Sequence, residues 1–161
     1  MRDNKIERLK RKIGEELGVT PPFTVTQKDA DLFSALTDDW DYMHNDPQWA
    51  KDSRWGGTIA HGMYVMTLIP SFLKQVSELP LISDSADEGL ALNYGFDKVR
   101  FISPLPVGVP ARAHIKLLDV TDRGKERYLV RLQITVYRED EKEVPMMTAE
   151  NLAYFTFRAE E

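Results

Sequence analysis

Asp39 and His44 stand five residues apart in Thr37–Gly62, TDDWDYMHNDPQWAKDSRWGGTIAHG, a polar stretch ending in a Gly56-Gly57 turn and an Ala60-His61-Gly62 entry into a long apolar segment. Few side chains other than histidine trade protons near neutral pH without special tuning, and a carboxylate close by completes an acid/base pair. A helix N-terminus adds backbone N–H groups and a dipole that favours negative charge. An acid/base pair beside such a terminus suits chemistry alpha to a carbonyl, where an oxyanion develops. Taken alone, Asp39 reads as a turn residue and His44 as a solvated histidine.

The segment resembles the MaoC-like, (R)-specific enoyl-thioester hydratase/dehydratase family. That family's motif runs roughly S/T-G-D-x-N-P-x-H-x-D-P, followed by G-G-x-I-A-H-G. Here the first part is Thr37-Asp38-Asp39-Trp40-Asp41-Tyr42-Met43-His44-Asn45-Asp46-Pro47 and the second is Gly56-Gly57-Thr58-Ile59-Ala60-His61-Gly62. The branch resembling nodulation protein N is closest, and the likeness continues through Ala91-Leu92-Asn93-Tyr94-Gly95 and Val99-Arg100-Phe101. It implies Asp39 and His44 as catalytic residues and Gly62 as the oxyanion position. Two departures stand out: Asp38 replaces the usual glycine, and Asp41 the usual Asn or Gln. Asp tolerates a left-handed backbone, so the turn survives. The added carboxylates are expected to favour a protonated Asp39.

Gly62 has no Cβ, which permits a carbonyl to approach an unpaired N–H. His61, which matches the family's A-H-G, is read as structural. Trp40, Tyr42, Trp55 and Asn93 are candidates for a substrate pocket, although buried aromatic packing is the plainer use for at least two of Trp40, Trp49 and Trp55. Tyr94 and Arg100 receive no role beyond strand packing. His44, Asp46 and His61 are of types that suit zinc, but their spacing matches no helical zinc site and Asp46 serves better as a helix cap; no metal is assigned.

With 161 residues, 42% hydrophobic and 29% charged, the chain reads as one domain with an ordinary globular composition. A net charge of -5 argues against nucleic acid as a partner. No apolar run reaches the roughly 18 residues that cross a bilayer, so no membrane association is expected. The first residues, Met1-Arg2-Asp3-Asn4-Lys5, lead into a charged segment without the apolar core of a secretory signal. The absence of cysteine rules out disulfides and thiol nucleophiles and fits the cytoplasm.

Ile6, Leu9, Ile13 and Leu17 recur at helical spacing before Gly18, which predicts an N-terminal amphipathic helix over 4–17, within a cap formed by 1–18. Pro21-Pro22 breaks the chain before a short extended piece, 23–26. A helix follows from Gln27 to Leu36, with Ala30, Phe33 and Leu36 inward, and a short one from Asp46-Pro47 to Lys51. From Ile59 to Val76 the chain is apolar around most of a helix, which predicts burial on all sides and a bend at Pro70. Residues 80–90 read as a polar loop. Strands are expected at roughly 91–103, 109–121, 126–138 and 145–158. A buried helix followed by four antiparallel strands is an α+β arrangement; the resemblance makes it the hotdog fold, a sheet wrapped around a long central helix. A single copy covers that helix incompletely, so a homodimer or higher homo-oligomer is expected.

The reaction implied by the resemblance is reversible hydration of a trans-2-enoyl thioester to the (R)-3-hydroxyacyl thioester. Coenzyme A or acyl carrier protein then belongs to the acyl thioester substrate, and no further cofactor is needed. A hotdog thioesterase is the alternative enzyme, but many of those carry a carboxylate on the central helix and none occurs from Ile59 to Ser77. A non-catalytic acyl-thioester-binding subunit is the alternative outside catalysis.

Overall fold

The computed structural model describes residues 2–76 and 89–157. In order, the elements are α1 (Arg2–Lys10), β1 (Glu16–Val19), β2 (Phe23–Thr24), α2 (Gln27–Thr37), α3 (Tyr42–Asn45), α4 (Pro47–Lys51), α5 (Gly62–Thr67), α6 (Ile69–Gln75), β3 (Gly89–Phe101), β4 (Pro110–Asp122), β5 (Arg127–Arg138) and β6 (Pro145–Phe157). The sheet is antiparallel, in the order β1-β4-β5-β6-β3, with β2 also paired to β4.

Alternation sets the strands. Val130, Leu132, Ile134 and Val136 of β5 are fully buried on one face, with Tyr128 nearly so. Their face joins Ala113, Ile115 and Leu117 of β4 and Met147, Ala149 and Phe155 of β6 in one core with Val65, Ile69, Phe72 and Leu73 of α5 and α6. This is the expected α+β layering of a sheet on a central helical segment. The polar loop expected at 80–90 lies outside the described residues, except that Gly89 and Leu90 already belong to β3.

Three expectations need correction. The N-terminal helix ends at Lys10, not at 17. Gly14 takes φ 91°, its N–H bonds Leu117 O at 2.8 Å and Leu117 N–H bonds Glu15 O at 3.0 Å, so the next residues join the sheet as β1. The open edge of β4 offers a ladder that outweighs helical spacing, leaving Ile13 half-exposed while Leu17 is buried from a strand.

The central segment is two short helices, not one from 59 to 76. Ile59 instead bridges Pro106. Pro70, second in α6, has no N–H to continue the ladder from α5, so the chain restarts at Leu68 and Ile69. Nor is the segment buried on all sides: Val65, Ile69 and Phe72 are interior, whereas Met63, Thr67, Ser71 and Lys74 are exposed.

In α2 the inward residues are Ala30 and Ser34, with Phe33 partly covered, while Leu36 is 85% exposed. Among the described residues no helix is long and apolar enough to cross a membrane.

Candidate active site

Three aspartates fold the loop that carries the acid/base pair, one through its backbone and two through their carboxylates. At the end of α2, Asp38 adopts φ 60° and its N–H closes on Ser34 O at 2.8 Å. A left-handed residue at this point ends the helix, and the aspartate performs the turn expected of it. Asp41 caps α3 by accepting the Met43 N–H at 3.1 Å. Asp46 caps α4 by accepting from Gln48 and Trp49 N–H at 3.0 and 2.9 Å, with Pro47 at the first helical position. The Asp41 carboxylate, one of the two added charges, is therefore engaged by a local N–H. His44 rides on the single turn between these caps.

Chemistry fixes the His44 tautomer. Its Nδ1 lies 2.7 Å from Ile59 O, and a carbonyl only accepts, so Nδ1–H donates and Nε2 is the basic nitrogen of the neutral ring. One face of the ring stacks on His61, with centroids 3.8 Å apart and planes at 26°. Residues 58–60 are themselves tied down: Ile59 N–H bonds Met43 O at 3.0 Å and Ala60 N–H bonds Leu105 O at 2.8 Å.

Asp39 is exposed, and among the described residues its carboxylate has no hydrogen-bond or ion-pair partner. Its main chain is held instead. Asp39 O accepts from His61 Nε2 at 3.1 Å and lies 2.9 Å from Ser34 Oγ. His61, read from sequence as structural, thus contacts both members of the pair: the backbone of Asp39 and the ring of His44. Because Nε2–H donates to Asp39 O, the buried Nδ1 is an acceptor without a partner among the described residues.

A cavity of about 280 Å³ opens beside His44, with Trp55, Gly62, Phe101, Leu105 and Met146 among its walls. Among the described residues Arg54 is the one permanently charged side chain on its lining, and its guanidinium sits 4.7 Å from the Trp55 ring centroid. Trp40 and Tyr42 border a different cavity, of about 560 Å³, with Asp41, Asn45 and Asp46. Asn93 borders a third, against Pro70 and Leu73. Of the four pocket candidates, then, only Trp55 shares a cavity with His44 among the described residues. Trp40 and Trp49 are about half-exposed, so the buried packing expected for two of the tryptophans is absent.

Gly62 opens α5, where its N–H has no intrahelical acceptor. The missing Cβ has another explanation than the one expected: a Cβ there would lie 2.6 Å from Phe101 Cδ1. The space belongs to an aromatic ring, while the N–H is a separate feature. Among the described residues, no group of three or more His, Cys, Asp or Glu side chains could hold a metal ion.

Sequence reading missed the polar stripe of α2, Gln27, Asp31 and Ser34, which faces the loop. Its signal was available as polar residues four and three apart, one helical face, beside the buried Ala30.

His61 is 2% exposed, and burial, aided by the nearby His44, pushes its pKa below the ordinary 6.5; the bond to Asp39 O opposes the shift. A histidine held neutral in the fold binds fewer protons than in the unfolded chain. Its contribution to stability is full above 6.5 and is lost as pH falls through 6.5 toward the lower folded value. Urea unfolding between about pH 7.5 and about pH 5 should show this loss, and His61→Gln should flatten it. An unchanged slope in the variant excludes His61 as the source.

The family model described as MaoC like domain matches residues 8–138. The chain is similar to nodulation protein N of Rhizobium leguminosarum bv. viciae, at 35% identity over 147 residues covering 91% of this chain and 88% of that protein. It is similar to 3-hydroxyacyl-thioester dehydratase Z of Mycobacterium tuberculosis, at 34% identity over 142 residues covering 88% and 89%. In three dimensions it matches the (R)-hydratase from A. caviae involved in PHA biosynthesis, with a TM-score of 0.69 and 18% identity, covering 91% of this chain and 96% of that one. At that identity the likeness speaks for the fold, which is the hotdog fold.

Proposed function

The chain belongs to the MaoC-like domain family, and from that premise we propose that it catalyses reversible hydration of a trans-2-enoyl thioester to the (R)-3-hydroxyacyl thioester. The observation that carries the reading is the pinning of the His44 ring, by Ile59 O on one edge and His61 on one face, beside a cavity that Gly62 also lines. That arrangement leaves Nε2 as the basic nitrogen. In the proposed step, water bonds to C3 as His44 Nε2 takes its proton, and Asp39 accepts a hydrogen bond from the same water. The π electrons move toward the thioester carbonyl, where the Gly62 N–H meets the developing charge. The proton then passes from His44 to C2, so both side chains end as they began. Dehydration runs the same path backward.

The thiol carrier, coenzyme A or acyl carrier protein, is part of the substrate, and the reaction draws on no further cofactor. The test is turnover of short and medium trans-2-enoyl-CoA by purified protein with chiral analysis of the product. Absence of product, or the (S) enantiomer, rejects the reading.

The functional unit is proposed to be a homodimer. Among the described residues β3 ends the sheet with an unpaired edge, and it carries exposed Leu90, Leu92 and Tyr94, followed by half-exposed Phe101 and Ile102. A long apolar edge strand invites pairing with another chain. Light scattering at micromolar concentration should return at least twice the 18.5 kDa of one chain; a monomer rejects the assembly.

A further inference from the structure

We infer that Asn45 is a positioning residue of this site: its amide, held from α2 by Asp31 and Ser34, fixes where Asp39 and His44 stand relative to one another. The inference rests on the hydratase reading and adds to it a side chain that acts only through others.

Asn45 Nδ2 donates to Asp31 Oδ1 at 3.0 Å, and its Oδ1 accepts from Ser34 Oγ at 2.9 Å and from the Asp41 N–H at 3.3 Å. The amide therefore spans from the helix to the interior of the loop with three bonds of defined direction. The same α2 stripe holds the main chain of both members of the pair. Ser34 Oγ lies 2.9 Å from Asp39 O as well, so its one proton is shared between that carbonyl and Asn45. Gln27 Nε2 donates to His44 O at 2.8 Å and to Asp31 Oδ1 at 2.9 Å. Asn45 and Asp31 close the circuit between these two anchors.

The polarity of the circuit is set by Asp31. Its bonds from Asn45 and then Gln27 hold its carboxyl below the usual carboxylate range, which keeps it an acceptor. The Asn45 amide must then turn its nitrogen toward Asp31 and its oxygen toward Ser34. A flip would set oxygen against carboxylate. The loop consequently has one register on the helix, and the separation of Asp39 from His44 follows from it.

The test exchanges the partners. Asn45→Asp alone sets two carboxylates face to face. Combining it with Asp31→Asn restores the bond between helix and loop in reverse: the new amide at position 31 donates to the new carboxylate at position 45, which still accepts from Ser34, and because Asp31 Oδ1 takes both Asn45 and Gln27, the new amide turns about its Cβ–Cγ bond to keep its oxygen for Gln27. With trans-2-enoyl-CoA as substrate, Asn45→Asp should lower kcat by about 10- to 100-fold with KM within about threefold, and the double variant should return to within about threefold of wild type. Ser34→Ala, which deletes one hydroxyl, is the second variant should Asn45→Asp fail to fold, and it should lower kcat about tenfold at similar KM. The His44 Nδ1–H resonance, protected by Ile59 O, reports ring position by NMR without turnover; it should shift in the single variants and return in the exchanged pair. An inactive wild type strikes the reaction reading, and this resonance then decides the positioning role by itself. The inference is overturned if the single variants keep kcat and the resonance unchanged. It is equally overturned if the exchanged pair regains its melting temperature but neither kcat nor the resonance.

Discussion

Asp39→Asn and His44→Gln should each leave a folded protein whose enoyl-thioester hydration is at least about a hundredfold slower, a loss of about 2.7 kcal/mol or more of transition-state stabilisation. Folding should survive Asp39→Asn because the carboxylate is exposed and has no partner among the described residues, while the anchoring of this residue runs through its carbonyl. His44→Gln keeps an amide N–H that can reach Ile59 O, so the segment retains its tie while losing a titratable nitrogen. The loss should fall on kcat, since both groups are proposed to act on water. Measured turnover of both variants beside their thermal melts decides the matter. Near-normal turnover in either one removes that residue from the mechanism; loss of activity with loss of the fold assigns it to structure.

The parts of this molecule that were legible in sequence are those where a local pattern and the tertiary environment agree. β5 alternates Tyr128, Val130, Leu132, Ile134 and Val136 inward, and the sheet needs that face buried, so pattern and packing coincide. Asp46-Pro47 capped α4 as read, because capping is settled within one turn. Where a distant partner decides, local spacing misled. Leu17 continues the helical series from Ile6 and Leu9, yet its segment bonds to β4, about a hundred residues away in sequence. The same limit explains the site. Asp39 and His44 stood out by their spacing inside a family motif, but Ser34, Asp31 and Gln27 look like the polar side of an ordinary amphipathic helix. Only the folded loop shows that this side faces two main-chain carbonyls instead of solvent. His61 sits between the cases: its position before Gly62 was visible, whereas its stacking on His44 depends on how Met43 O and Leu105 O string residues 59 and 60 across the site.

Gly62→Ala should lower kcat/KM by about 10- to 100-fold through Phe101, and removing that ring should recover most of the loss. The added methyl would lie 2.6, 2.8 and 3.0 Å from Phe101 Cδ1, Cγ and Cε1, against an ordinary carbon–carbon contact of about 3.5–4.0 Å. The ring must therefore move by about an ångström. Phe101 is 46% exposed at the end of β3 of a single chain, so a turn of the ring leaves the core of that chain intact and the fold should hold. The ring also walls the cavity beside His44, so any such turn reshapes the space proposed for the acyl thioester. The oxyanion role proposed for Gly62 belongs to its N–H, which alanine keeps. A double-mutant cycle separates the two effects. If the glycine is required by the ring, Gly62→Ala should cost little in a Phe101→Ala background, with kcat/KM within about threefold of Phe101→Ala alone. If the methyl costs as much in that background as in wild type, it obstructs the substrate carbonyl at the helix terminus directly, and the missing Cβ, not the ring, is what the reaction needs.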